Sequence, residues 1–448
     1  MKILQVTIGF PPYQTGGTDH LSYLLSFGLE QKDDVELYVL SGRLPRDYTA
    51  DIESEIFENM RVRRVHSSRR KFLESRVPNV EISTYKNLYY EGLFEKFIKE
   101  LKPDIVHFQH TIELSTSLIH IAKRYANKTI VSLQDFWYFC PRIHLLKLDG
   151  AVCSGPEFGF NCYYCRTKNN VSCRGLHTYK SSRGKIISKI PLPIKTFLKD
   201  RIQRKQYYRT EREYGKILPF ISRYYYVMET LKSADYILSP SRFLKESYVK
   251  IAKINPSSVL TIPLGIVPFS IKKKNSFSKP VCFGFAGSPS KHKGSQLLFD
   301  VFKKIPEDKA KLEIWGKGWE AFSKKARLSK NIDFKGEYTH RNIGEVFSSF
   351  DVLVIPSIWG ETFSFVAHEA FYAKMPVIAS NIGVFPDIIQ DAKNGFLFNV
   401  NDSESLLKSI NIIVENPEMI KKLSKNIEKP KSAEEYVDEI FSMYKNIL

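Results

Sequence analysis

Short apolar runs alternate with amphipathic stretches along nearly the whole chain. In the first half the runs are Ile3–Phe10, Val35–Leu40, Ile105–Phe108, Thr129–Leu133, Tyr236–Ser239 and Val259–Pro263. They are mostly continuous rather than alternating, as strands buried on both faces of a parallel sheet must be. Between them, His20–Leu29, Tyr90–Leu101 and Ser115–Tyr125 space their apolar residues as helices do. The same pattern restarts with strand-like runs at Val281–Ala286, Lys311–Trp315, Ile332–Phe334, Val352–Ile355, Val377–Ala379 and Phe396–Phe398. Helices are expected there at Ser295–Lys304, Asn342–Ser349, Phe365–Ala373 and Ser403–Glu415. Ser270–Pro280 between the halves is rich in Lys and Ser, with little to bury, and reads as a linker. The expected architecture is α/β: two Rossmann-like, doubly wound domains facing across a cleft. The first spans 1–270, with a cysteine-rich and then basic insertion at about 140–226; the second spans 271–432. A last helix over 433–448 is free to pack back on the first domain.

Composition narrows the classes. A chain of 448 residues exceeds the ~250–300 residues at which one core stops growing, which supports two domains. Its 43% hydrophobic and 13% aromatic content excludes a disordered chain. The net charge of +19 suits anionic partners: nucleic acid, acidic lipid head groups or phosphorylated substrates. It equally suits a solvated basic surface. Ile254–Ile271 carries no charge, but Pro256, Pro263, Pro268 and Gly265 break it as a membrane span. Met1–Phe10 is too short for a secretion signal and runs into Pro11-Pro12. The expected location is therefore the cytoplasm, at most peripheral on the membrane face. Neither a Walker loop nor Gly-x-Gly-x-x-Gly follows a strand, which excludes nucleoside triphosphatases and dehydrogenases.

The most specific chemistry lies at Glu361 and Glu369, after the run Val352–Ile355. Pro356, Trp359 and Gly360 place Glu361 in a loop at the carboxyl end of a strand, where open α/β sheets bind ligands. A helix starting near Phe363 or Ser364 would aim free N–H groups and a positive dipole at an anion. Glu369 then lies a turn or more into that helix. The two carboxylates bracket a phosphate-sized space, one able to accept sugar hydroxyls and the other ribose hydroxyls.

The segment Trp359–Ala370 resembles the signature of the family 4 retaining glycosyltransferases, which have the GT-B fold. Further segments resemble that family in the same order along the chain: Pro11-Pro12 with Gly16, Gly17 and Thr18; Pro103 to His107; Ser239 to Phe243; Leu264-Gly265; Gly287 to Gly294; and Asn394-Gly395. The resemblance implies that Glu361 contacts the transferred sugar, Glu369 the ribose, and Lys293 the diphosphate. It implies a donor pocket of Gly16, Gly17, Gly287, Ser288, Lys293, Thr362, Phe363, Ser364 and Glu369. His107 and Asp135 are the acceptor-side candidates, with His110 as an alternative to His107. The implied reaction moves a sugar, with retention, from a UDP- or GDP-linked donor to a lipid-linked or saccharide acceptor, as in lipopolysaccharide, polysaccharide or glycolipid synthesis. No cofactor is implied for catalysis. A GT-B nucleotide-sugar epimerase and a non-enzymatic basic nucleic-acid-binding protein stand as alternatives. The spacing of Glu361 and Glu369 argues against the first, and nucleic acid is not an expected partner because no groove-reading module or aromatic platform is recognisable.

The chain also departs from the family pattern. Ser288 stands where Arg is frequent, so one phosphate cation is missing or is supplied by Lys291 or His292. Gln134-Asp135 replaces a frequent His-Asp, and Asp387 stands where Glu is commoner. Cys153, Cys162, Cys165 and Cys173, with Cys140 as substitute, have spacing suited to a structural zinc; thiols scattered in a loop, or disulfides, are the alternatives. Arg183–Arg212 interleaves Lys and Arg with Ile186, Ile187, Ile190, Phe197 and Leu198, as a peripheral membrane contact or an ordinary helix with a basic face would.

Overall fold

In this computed structural model, which describes residues 1–13, 16–42, 52–65, 85–112, 114–166, 215–272, 276–320, 322 and 329–448, the apolar runs build two sheets. The first contains β1 (Lys2–Thr7), β2 (Glu36–Ser41), β3 (Ile52–Phe57), β4 (Met60–Val65), β5 (Ile105–Phe108), β6 (Lys128–Ser132), β7 (Tyr236–Ser239) and β8 (Val259–Thr261). Its order is β3-β4-β2-β1-β5-β6-β7-β8, parallel throughout except where β3 meets β4. The second contains β9 (Val281–Ala286), β10 (Ala310–Trp315), β11 (Ile332–Gly336), β12 (Val352–Ile355), β13 (Val377–Ser380) and β14 (Gly395–Phe398). Its order, β11-β10-β9-β12-β13-β14, is parallel from edge to edge.

Both sheets are doubly wound. The chain runs outward from a central strand, returns, and runs outward the other way. The reversal falls between β1 and β5 in the first sheet and between β9 and β12 in the second. Beyond the carboxyl ends of such strands a crevice opens, because the flanking loops diverge to opposite faces. Burial explains the unbroken apolar runs: β5 and β12 have no exposed position.

Two elements fall outside the sequence reading. The β3–β4 hairpin is written IESEIF and MRVRRV, alternating charge with apolar residues. The charges blunt the sheet edge at β3, while the inner strand β4 still buries Met60, Val62 and Val65. The helix over 215–232 begins in the stretch read as an insertion and runs past its end, and it buries Tyr224, Val227, Met228 and Leu231 in the first domain's core.

Helix Ala433–Ile447 begins with a capping box made by Ser432 and Glu435 and packs on the first domain. A Cβ on Gly28 would lie 2.7 Å from Val437, so the glycine lets helix Gly17–Glu30 approach it closely. Deeper in, the Tyr444 hydroxyl meets Gln5 Nε2 at 3.0 Å and His107 Nδ1 at 2.5 Å. The chain thus passes between the domains twice, and the two passages are paired through Ile266 and Ser432. Among the described residues no helix is long and apolar enough to cross a membrane. The basic stretch 183–212 and Cys173 lie outside the described residues.

Candidate active site

The loop after β9 makes one 3-10 turn at Lys291–Lys293 and enters helix Ser295–Phe302 through Gly294. Gly294 has φ +73, and a Cβ there would lie 1.7 Å from the Pro356 carbonyl oxygen. Only glycine lets this loop touch the one that follows β12. Ile358 N–H donates to the His292 carbonyl at 2.9 Å and fixes the two loops side by side. Lys293 Nζ consequently lies 2.6 Å from Glu361 Oε1. Ser357 Oγ and Trp359 Nε1 donate to the same oxygen at 3.0 and 2.9 Å. Glu361 is buried, and Oε2 accepts no hydrogen bond among the described residues. One carboxylate oxygen is therefore fixed while the other remains able to accept from a ligand.

Helix Phe365–Tyr372 starts after Ser364, whose φ of 64 lies in the left-handed region. This turn is braced by the Phe363 ring stacked on His368, with centroids 4.0 Å apart, and by His368 Nδ1 at 3.0 Å from the Ser364 carbonyl. Ala367 N–H donates to the Ser364 carbonyl at 3.1 Å, while the Phe365 and Val366 N–H groups have no acceptor among the described residues and form an anion-seeking end. Glu369, one turn in, is 7% exposed, and its side chain accepts no hydrogen bond among the described residues. Burial pushes its carboxyl up to about 7. A buried carboxyl without a donor is a group built for a partner the protein does not itself supply.

The first domain presents a second helix start. Arg64 of β4 is fully buried, donates to the Phe10 carbonyl at 3.1 Å and also reaches Pro11 and Glu55. It anchors the loop that leads to Gly16 and Gly17 at the start of helix Gly17–Glu30. Gly17 faces Phe365, whose ring would lie 3.6 Å from a Cβ there. Two helix N-termini thus confront each other across the cleft. Beside them His20 stacks on His340 at 4.1 Å.

The cleft walls are joined at several points. Thr362 Oγ1 donates to the Gln134 carbonyl at 2.8 Å, so Gln134 contributes its backbone here. Asp387 accepts from Phe243 N–H at 3.0 Å and from Arg242 Nε at 3.1 Å. Ser288 Oγ meets Ser290 Oγ at 2.7 Å and brings no charge to the phosphate loop. Of its two proposed stand-ins, His292 is pushed down to about 4 by burial, His144 and Lys293. It is neutral near pH 7, so of the two only Lys291 carries a charge.

The acceptor-side candidates separate. His107, read from sequence as catalytic, is fully buried inside β5, and burial lowers its imidazole to about 3. Its ring nitrogens are engaged by Tyr444 and by Ser132 Oγ at 2.8 Å. It therefore belongs to the network that seats helix Ala433–Ile447, with no surface toward the cleft. His110, just beyond the strand end and itself buried, lies beside Asp135. Ile112 N–H donates to His110 Nδ1 at 3.0 Å, which assigns the ring proton to Nε2. That nitrogen lies 3.4 Å from Asp135 Oδ2, and Asp135 also accepts from Trp137 N–H at 2.7 Å.

His144 is the residue the sequence reading missed. It lies just before the hairpin closed by the Leu146–Val152 bridge, and its ring reaches the second domain. Its ring is 4.5 Å from His292 and 4.8 Å from Trp359, within the field of Lys293 and Glu361. The visible signal was a lone histidine between Cys140 and Cys153, whose position depends on a turn that spacing does not reveal. Aromatic pairs contribute about 0.5–1.5 kcal/mol each. His144→Ala should therefore reduce kcat/KM for turnover by about tenfold, with far-ultraviolet circular dichroism unchanged. An unaltered kcat/KM would remove His144 from the site. Among the described residues, no three His, Cys, Asp or Glu side chains stand as a ready-made metal ligand set.

Comparison with known proteins agrees with this geometry. The sequence model of "Glycosyl transferases group 1" matches residues 267–430. The chain is 32% identical over 130 residues to sulfoquinovosyl transferase SQD2 of Arabidopsis thaliana, covering 28% of this chain and 25% of that protein. It is 31% identical over 128 residues to a phosphatidyl-myo-inositol mannosyltransferase of Mycobacterium leprae, covering 28% and 34%. The matched part thus spans a quarter to a third of these curated relatives. The whole chain superposes on Anabaena Alr3699/HepE, solved in complex with UDP, with a TM-score of 0.62, 14% identity and 100% coverage of both chains. The two-domain architecture is the GT-B fold.

Proposed function

We propose that this chain, a group 1 glycosyl transferase by its residues 267–430, is a retaining enzyme that moves a sugar from a nucleoside diphosphate to an acceptor hydroxyl. The observation that carries the reading is the Lys293–Glu361 pair at the reversal point of the second sheet, faced by two helix N-termini. A diphosphate there meets one ammonium and two sets of free N–H groups. Glu361 Oε2 is available to a hydroxyl of the transferred sugar, and the unpartnered Glu369 to the ribose diol.

In the reaction the bond from the anomeric carbon to the phosphate oxygen breaks while the acceptor oxygen bonds to that carbon on the same face. The acceptor proton passes to the departing phosphate oxygen. Charge grows on the diphosphate as the bond stretches, so Lys293 and the helix ends stabilise the transition state more than the ground state. His110 and Asp135 border the acceptor side and orient the incoming hydroxyl.

The acceptor is lipid-linked in this reading. One named relative is by its name a phosphatidyl-myo-inositol mannosyltransferase, and the net charge of +19 favours an anionic surface. The enzyme works from the cytoplasmic side as a peripheral protein, with UDP- or GDP-sugars as donors. Purified protein should show a raised melting temperature with one class of nucleotide sugar. It should then release the nucleoside diphosphate only when a lipid extract is added. Sugar isomerisation without an acceptor would point to an epimerase. Salt-sensitive binding of nucleic acid, with no response to any donor, would sink the proposal.

A further inference from the structure

The second domain has a cavity at the amino ends of its strands, at the edge opposite the donor site. Asp351 and Pro376, which directly precede β12 and β13, lie on its wall. The linker closes one side. Lys272 N–H donates to Ser348 Oγ at 3.0 Å, and a Cβ on Gly344 would lie 1.9 Å from the Ser270 carbonyl oxygen. Helix Met419–Lys425 closes the other side with Ile420, Lys421, Ser424 and Lys425, which share one helix face. The turn after helix Phe365–Tyr372 supplies Ala373, Lys374 and Met375. The volume is about 330 Å³, at the lower end of the range of small-molecule sites.

Phe277, Phe347, Phe350, Met375 and Ile420 make the floor apolar. Filled with solvent, the cavity would hold roughly eleven waters at 30 Å³ each, against rings and alkyl groups that offer them no hydrogen bond. Around that floor stand the ammonium groups of Lys272, Lys374, Lys421 and Lys425. None of the four forms an ion pair among the described residues; Lys374 Nζ donates to the Ile427 carbonyl at 2.6 Å. Lys421 and Lys425 are four apart on one helix, a placement of like charges that weakens the helix until an anion joins them. Among the described residues Asp351 is the one acid on the wall, and its Oδ2 already accepts from Cys282 N–H at 2.8 Å.

We infer that this cavity binds an anion carrying a single alkyl chain, a carboxylate or a phosphate monoester, with the chain on the floor and the head among the lysines. The volume admits one slender chain and not the pair carried by a bilayer lipid. Charge selects the head, since a cationic head would meet four like charges. The floor selects the chain, since inorganic phosphate would leave the rings wet. The site is separate from the donor site, where Lys293, Glu361 and Glu369 follow the carboxyl ends of β9 and β12.

Calorimetry of the full chain with octyl phosphate, below its micelle concentration, should show one equivalent bound. Affinity should rise about fourfold for each methylene added from butyl to octyl phosphate, the gain from moving one methylene out of water. Octanoate should compete for the same site, whereas octyltrimethylammonium and inorganic phosphate should not bind there. Lys421→Glu combined with Lys425→Glu changes two exposed side chains. It should weaken octyl phosphate by at least about tenfold and leave the melting temperature of the free protein unaltered. Ser424→Phe, which plugs the cavity without touching a charge, should abolish binding. Equal binding of the cationic amphiphile, affinity independent of chain length, or binding untouched by the two glutamates would overturn the inference. So would binding confined to phosphatidylglycerol vesicles, or a dimer in sedimentation that the glutamates dissolve, since either makes this face a membrane or subunit contact.

Discussion

Lys293→Ala and Glu361→Gln should each lower kcat by about 10²–10³-fold, the usual loss when one preorganised charge is removed from a transition state. The two side chains are 2.6 Å apart, so their effects should not add. Without Lys293 the diphosphate loses its ammonium, and Glu361 loses the cation that positions it. Without the Glu361 charge, Lys293 is free to turn, and the sugar loses its acceptor oxygen. The double variant should therefore fall by little more than the worse single variant, as residues in contact do. Steady-state rates of nucleotide release, with calorimetric donor affinities, separate the cases. Fully additive losses would mean that the pair does not act as a unit. Unchanged rates would place the chemistry elsewhere.

Glu369→Gln should make the donor-free protein more stable above neutral pH and the donor bind less tightly. Burial lifts the carboxyl from the usual 4.5 to about 7. A raised carboxylate means that the folded state holds the proton more firmly than the unfolded chain. The favourable contribution is complete below pH 4.5 and is lost as pH climbs through about 7. At pH 8 the buried charge then costs up to about 3 kcal/mol, the shift converted at 1.36 kcal/mol per pH unit. The glutamine removes that cost, so the melting temperature should rise by several degrees at pH 8 and hardly at all at pH 4. Donor affinity should change the other way, weakening by roughly 10–100-fold for hydrogen bonds to a charged acceptor. In the unaltered protein the donor should bind more tightly as pH rises through about 7, since the ribose hydroxyls donate to the ionised form. A variant equally stable at both pH values, or with undiminished donor affinity, would refute this role for Glu369.

The fold was legible where burial acts on both faces of a strand, because such strands have no other way to be written. Runs such as Ile105–Phe108 and Val352–Ile355 coincide with β5 and β12. The β3–β4 hairpin escaped because charged residues interrupt its apolar positions, on the edge strand β3 and on the inner strand β4 alike, so that it looks like surface. Lys293, Glu361 and Glu369 could be singled out because each lies in the segment that follows a strand end. His107 shows a related limit of the sequence: a residue inside β5 has both faces covered, which local spacing does not reveal. His144 depends on tertiary placement of a hairpin, which no local periodicity encodes.

The seating of helix Ala433–Ile447 bears on how the chain is made. Ribosomes deliver residues in order, so the second sheet, contiguous in sequence, is complete before that helix emerges. The first sheet emerges earlier yet must wait, with Gln5 and His107 lacking the Tyr444 hydroxyl they share in the finished protein. The domain begun first is therefore finished last, and a chain stopped short of residue 433 would leave its oldest core open to water.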